Sequence, residues 1–155
     1  MDKIDTLKKS LIFRELAEPE LNKLASIAHE YFYRAGEELF FQGEAADELI
    51  IISVGSVRMI KELNAQKEED IITLGSGSFL GEMAAVQGNE ERLASAFAIE
   101  NTHAISLKSN ELSTLCDRDN ILGYHVYRAI TKAFARRIHR IAADSAYYRT
   151  LAYNH

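Results

Sequence analysis

The chain has 155 residues, 47% of them hydrophobic and 26% charged, enough apolar side chain to bury one substantial core, and its composition argues against disorder. Eighteen Lys and Arg against 23 Asp and Glu leave a net charge of −5, which gives no general electrostatic attraction to nucleic acid or to acidic lipid. The single cysteine, Cys116, excludes an internal disulfide and a cysteine-based metal framework and reads as a buried thiol. No signal-peptide core follows Met1, and no window approaches the ~20 apolar residues of a membrane span, so the sequence reads as a cytoplasmic protein of one domain over 1–155.

The first elements are helical. Leu7, Leu11, Ile12 and Leu16 keep helical spacing, and Pro19 suits the first turn of a second helix that turns Leu21, Leu24, Ala25 and Ile27 toward a core, so helices are predicted within 5–29. From 31 to 108 the texture changes to short runs of β-branched and aromatic residues between glycines, the pattern of a compact antiparallel β-fold. Strands are predicted over 31–34, 38–41, 48–54, 57–63, 71–74, 94–99 and 103–108, with turns at Gly36, Gly43, Gly55 and 64–69. Helix returns over 110–146, with Asn110 as a cap, Leu112 and Leu115 facing inward, and a long segment from 119 or 120 to 145. In that segment Ile130, Phe134, Ile138 and Ile141 recur at three and four residues. The helix is longer than is needed to cover one side of a small barrel, which predicts a homodimer contact along it, the alternative being that its apolar stripe packs entirely within its own domain. Arg136, Arg137 and Arg140 make its middle basic, as a solvated face is.

The segment Gly77-Ser78-Phe79-Leu80-Gly81-Glu82-Met83-Ala84, followed by Arg92-Leu93-Ala94-Ser95, carries the chemistry. Glu82 and Arg92 lie ten positions apart in an otherwise apolar stretch, placed to grip opposite ends of a sugar phosphate. A carboxylate cannot face an anion comfortably, but it accepts from a hydroxyl; a guanidinium supplies directed donors and full charge. This is a binding signature rather than a catalytic one. The histidines are scattered, without HxH or HExxH spacing, no GxSxG occurs, and Cys116 lacks an activating motif, so neither a metal site nor an enzyme is predicted.

The order Gly36, Gly43, the apolar strand 49–52, Gly55-Ser56-Val57, Gly77, Gly81-Glu82 and Arg92-Leu93-Ala94 resembles the cyclic nucleotide-binding domain, in its catabolite-activator (Crp/Fnr-like) branch. The resemblance runs from about Leu7 to Ile141. It implies an α+β, mainly β, architecture: an antiparallel β-roll, a jelly-roll-like double-stranded β-helix, with N-terminal helices and a long C-terminal helix. It also implies a regulatory module that binds a cyclic nucleoside monophosphate and answers through that helix, with no cofactor. Carried over by position, Glu82 accepts from the ribose 2′-hydroxyl, Arg92 pairs with the cyclic phosphate, and backbone N–H groups near Met83, Ala84 and Ala94 add donors. Gly81 allows close backbone approach, and a short helix beginning at Glu82 turns its N-terminus toward the anion. Met59 and Ile71 line the base side, with Arg137 and Ile141 facing it from the long helix.

The sequence departs from the family pattern at Leu93, where ligand-binding members usually carry a small or hydroxylated residue. It also departs at Ile141 and Ala142, where the catabolite-activator type uses hydroxyls on adenine. Because guanine-selective members often have threonine at the Leu93 position, cAMP is the favoured ligand. The alternative reading is a ligand-free dimerisation or protein-interaction module with a degenerate pocket. The family's transcription regulators continue into a helix-turn-helix domain of roughly 70 further residues, whereas only 145–155 follow the long helix here, so no DNA-reading unit is predicted in this chain and the effector is an unknown protein.

Overall fold

The computed structural model describes residues 1–153, so the last two residues of the predicted domain lie outside the described residues. Asp2 opens helix α1 (Lys3–Lys9) by accepting from the backbone N–H groups of Ile4 and Asp5. Helical spacing predicts that this helix continues to Leu16, but it stops at Lys9. The Ser10 hydroxyl donates to the Leu7 carbonyl and accepts from the Phe13 N–H, which competes with the helical ladder and turns Ile12 and Phe13 into the core. Helix α2 (Glu18–Ile27) starts with Pro19 in its first turn, and the Glu20 carboxylate reaches back to the Ala17 N–H.

The roll comprises β1 (His29–Tyr33), β2 (Glu38–Phe40), β3 (Ala45–Ala46), β4 (Glu48–Val54), β5 (Val57–Asn64), β6 (Lys67–Leu74), β7 (Phe79–Leu80), β8 (Glu90–Glu91), β9 (Ser95–Ala98) and β10 (Thr102–Lys108), with helix α3 (Glu82–Gln87) inserted after β7. Its four-stranded sheets run β1-β10-β4-β7 and β2-β9-β5-β6, with β3 and β8 as a separate pair, all antiparallel. Two corrections to the sequence reading follow. Strand β6 begins at Lys67, four residues ahead of Ile71, because the turn tightens on Ala65 and Gln66, where the Asn64 side chain accepts from the Gln66 N–H. Strands β3, β7 and β8 have two residues each, too short to show an alternation.

Strand β4 sits between two cores, which explains its unbroken apolar run. Leu49 and Ile51 face the helices and pack with Leu7, Phe13, Leu24, Ile105, Leu112 and Leu122. Ile50 and Ile52 face the roll interior with Phe40, Val57, Leu80, Ala96 and Ala104. Full burial of each large aliphatic side chain contributes about 1.5–3 kcal/mol.

Helix α4 (Ser109–Arg118) and helix α5 (Asn120–Tyr153) complete the chain. Lys108, not Asn110, precedes α4; Asn110 lies in its first turn with its side-chain oxygen on the Glu111 N–H. The two helices cross closely at Gly123, where a Cβ would come 2.9 Å from the Cys116 carbonyl oxygen, and Cys116 is buried beneath this crossing. Leu122, Val126, Ala129, Ile130 and Ala133 seat the first half of α5 on the body. The N-terminal segment binds the same half through Glu20 with His125, Glu15 with Lys132 at 2.9 Å, and Arg136 donating to the Leu11 carbonyl at 3.1 Å, and Lys23 pairs with Asp119 just ahead of it. Beyond Arg137 the described side chains of α5 are exposed, and the helix runs past the predicted end at 145. Among the described residues no helix is long and apolar enough to cross a membrane.

Candidate functional site

The chain enters the site through Gly77, whose carbonyl accepts from the Leu11 N–H at 2.8 Å. It then turns at Gly81 with φ +85°. A Cβ at Gly81 would lie 2.3 Å from the Glu48 carbonyl oxygen and 2.9 Å from Arg92 Nη1, so both dihedral and space demand glycine. Helix α3 starts at the next residue. Its first internal hydrogen bond runs from the Ala85 N–H to the Gly81 carbonyl at 3.1 Å, so the N–H groups of Glu82, Met83 and Ala84 precede the helical ladder.

Glu82 is buried, only 3% exposed, and its carboxylate pairs with the Arg137 guanidinium, which reaches in from α5. Arg92 is buried as well, at 7% exposure. The pairing of β3 with β8 brackets its backbone, with the Arg92 N–H on the Glu44 carbonyl and the Gly43 N–H on the Arg92 carbonyl, both at 2.8 Å. Its guanidinium carbon stands 4.0 Å from the centroid of the Phe40 ring, and Nη2 is 4.0 Å from a Glu48 carboxylate oxygen. Nε is buried without a hydrogen-bond partner.

Burial pushes the Arg92 pKa below the usual arginine value, against the opposing pull of Glu48, Asp47 and Glu44. Burial, with Arg140 nearby, lowers that of Arg137. Burial also raises the Tyr33 phenol to about 12, with Glu48 adding to the shift. The site therefore holds a desolvated cation with unused hydrogen-bonding capacity beside a buried carboxylate. Such a pair can receive an anion on one side and a hydroxyl on the other.

The fold thus brings Gly81, Glu82, Arg92 and Arg137 together. Ala84 and Ala94 are buried, leaving their backbone as what they can offer, whereas Met83 and Leu93 are exposed, Leu93 by 65%. Met59 packs against the roll interior. Ile71 and Ile141 are 50% and 62% exposed and are not packed into the site by either core. Phe40 and Glu48 were not among the residues the sequence singled out. The one available signal for Phe40 is its inward position on a short strand, and no motif marks Glu48. Among the described residues no three potential metal ligands converge.

A β-roll closed by helices at both ends, with a buried acid and a buried arginine on one short inserted cassette, defines a ligand-binding regulatory domain. The family model for the cyclic nucleotide-binding domain matches residues 30–119, and the chain belongs to that family. It is 42% identical over 91 residues to the cGMP-dependent protein kinase, isozyme 2 forms cD5/T2, of Drosophila melanogaster, covering 58% of this chain and 10% of the kinase. It is 28% identical over 120 residues to the cyclic AMP receptor protein of Thermus thermophilus, covering 77% of this chain and 55% of the receptor. The crystal structure of the Thermus thermophilus catabolite activator protein superposes with a TM-score of 0.77 at 27% identity, covering 88% of this chain and 62% of that one. The chain thus spans a tenth of the matched kinase and about half of the receptor. The family and the mainly antiparallel β-roll architecture inferred from the motif order are those the comparisons show.

Proposed function

We propose that this domain is a sensor whose cassette takes a cyclic nucleoside monophosphate, cAMP in preference to cGMP, with no catalysis of its own. The observation that carries the reading is Arg92, a buried guanidinium whose Nε lacks a partner, ten residues beyond a buried Glu82. The cyclic phosphate pairs with Arg92 and the ribose 2′-hydroxyl donates to Glu82, with backbone N–H groups around Met83, Ala84 and Ala94 assisting. Met59 meets the base from the roll, and Ile71 and Ile141, exposed in this structure, would reach it only by closing over the bound ligand. The preference for adenine rests on Leu93, which offers no hydroxyl to guanine.

Arg137 supports a route of transmission. It ties Glu82 to α5, so a ligand that engages Glu82 competes with that tie and biases the helix, provided it binds the two helix positions with different affinity. The readout is a homodimer or effector-protein contact along α5, where Tyr124, Thr131 and Ile138 lie exposed at heptad spacing.

Calorimetric titration of cAMP, cGMP and cyclic dinucleotides into the wild type and Arg92→Ala tests it. The wild type should bind cAMP most tightly. Arg92→Ala should lose about ten- to hundred-fold, the cost of a charge-assisted hydrogen bond left unmade. A folded wild type that binds none of them at millimolar concentration refutes the sensing role and leaves the ligand-free interaction module, the reading that the bulk of Leu93 favours.

A further inference from the structure

The Arg92 guanidinium is contacted from two directions by side chains with opposite demands. Below it lies the Phe40 ring at 4.0 Å, a distance at which the face of the ring attracts a cation. At its edge lies the Glu48 carboxylate, 4.0 Å from Nη2, close enough for Coulomb attraction and too far for a hydrogen bond. Strand geometry fixes where this acid points. Glu48 opens β4, and the alternation that turns Ile50 and Ile52 into the roll turns Glu48 the same way, at the end of their row. Its backbone is pinned as well: it pairs with Lys108 in β10, and its carbonyl lies against Gly81. The backbone of Glu48 is therefore anchored beside the turn that carries Glu82, with its carboxylate in reach of Arg92.

We propose that Glu48 is an internal competitor for the edge of Arg92 that a ligand phosphate would use, so that its charge sets a ceiling on affinity, while Phe40 is the positioning residue that holds the guanidinium flat. The inference rests on the cyclic-nucleotide reading of the cassette and adds what tunes it. A phosphate brings oxygens that meet guanidinium N–H groups with directed hydrogen bonds, which the 4.0 Å carboxylate does not, so phosphate wins the exchange. It wins against a like charge that stays nearby. Asp47 and Glu44 also act on Arg92, but Glu48 is the strongest of the three and the one in ionic contact. Phe40 contributes no charge, and its ring covers the guanidinium from one side at 4.0 Å.

The two residues should respond with opposite signs. Glu48→Gln keeps the shape and removes the charge, and should tighten cAMP binding roughly tenfold. Glu48→Asp, which keeps the charge, should stay near the wild type. Phe40→Leu should weaken binding several-fold, and Phe40→Tyr, which restores a ring, should recover it. Affinity is read by calorimetry and folding by thermal melting, with Glu48→Ala replacing Glu48→Gln should the latter not fold. A wild type that binds cAMP while the neutral variants bind no more tightly overturns the competitor role and leaves the nucleotide reading standing. Unchanged affinity in Phe40→Leu overturns the positioning role. Failure of every folded protein to bind overturns the nucleotide reading, and this inference with it.

Discussion

Replacing Arg137 by alanine removes the α5 side chain that, among the described residues, pairs with the buried carboxylate of Glu82. Breaking a buried ion pair by deleting one partner costs about 3–5 kcal/mol, because the charge left behind is uncompensated, whereas exposed pairs contribute ~0–1 kcal/mol. This pair lies between the two limits: Glu82 is 3% exposed, but 43% of the Arg137 side chain is in contact with solvent, so water partly replaces it after truncation. The expected loss is about 2 kcal/mol, or a fall in Tm of roughly 4–8 °C for a chain of this size. Urea denaturation followed by circular dichroism measures it. A double-mutant cycle with Glu82→Gln isolates the pair and should return a coupling energy of about 1–2 kcal/mol. Additivity within ~0.3 kcal/mol would mean that the cassette and α5 are not energetically joined through these residues, and the transmission route would fall.

Gly81→Ala should be far more damaging than Gly36→Ala. Both glycines have positive φ, but nothing lies within 4 Å of a Cβ at Gly36, so that substitution should cost about 1–2 kcal/mol in backbone strain, whereas Gly81→Ala adds the collision with the Glu48 carbonyl and should exceed ~3 kcal/mol; equal melting temperatures would refute the steric argument. Ile138→Glu, at a side chain 65% exposed on α5, should convert a dimer to a monomer by light scattering, and an unchanged dimer would exclude this stripe as its interface. Acid should loosen the N-terminal segment from α5. Hydrogen bonds from Lys132 and Lys23 hold Glu15 and Asp119 below their ordinary values of 4.5 and 3.8, so their stabilisation is present above those values and is lost as pH falls through the lowered folded ones. Lys23→Met with Lys132→Met should therefore be less stable than the wild type at about pH 6, the difference narrowing progressively as pH falls below the ordinary carboxylate range, and a pH-independent difference would refute the assignment.

Much of the roll is legible without coordinates because its determinants are local. The apolar run of β4 reads as a strand buried on both faces, and Gly43 and Gly55 mark the turns after β2 and after β4 at positive φ. The chain is less readable where one side chain redirects it. A single hydroxyl, Ser10, ends α1 early, and the apolar spacing that predicts helix to Leu16 serves a turn that packs Phe13 just as well. In the site, Glu82 and Arg92 are visible because they share one short segment. The contacts of Arg92 with Phe40 and Glu48 are not, since they depend on β2 and β4 being brought to the same end of the roll by pairings with β9 and β10. Arg137 could be named from its position on the long helix, but nothing in the sequence assigns its partner.

Helix α5 is held to the body by described contacts that run as far as Arg137, and it continues as one helix to Tyr153. Sixteen residues beyond Arg137 amount to a rigid arm of about 24 Å at 1.5 Å per residue. A tilt of about 10° where Arg137 meets Glu82, too small to disturb the roll, would sweep the far end of that arm through about 4 Å. On the proposed route of transmission, such an arm would convert an ångström-scale change at one carboxylate into a displacement that an associated protein surface could register. Shortening it should diminish the mechanical output while leaving the affinity of the cassette in place.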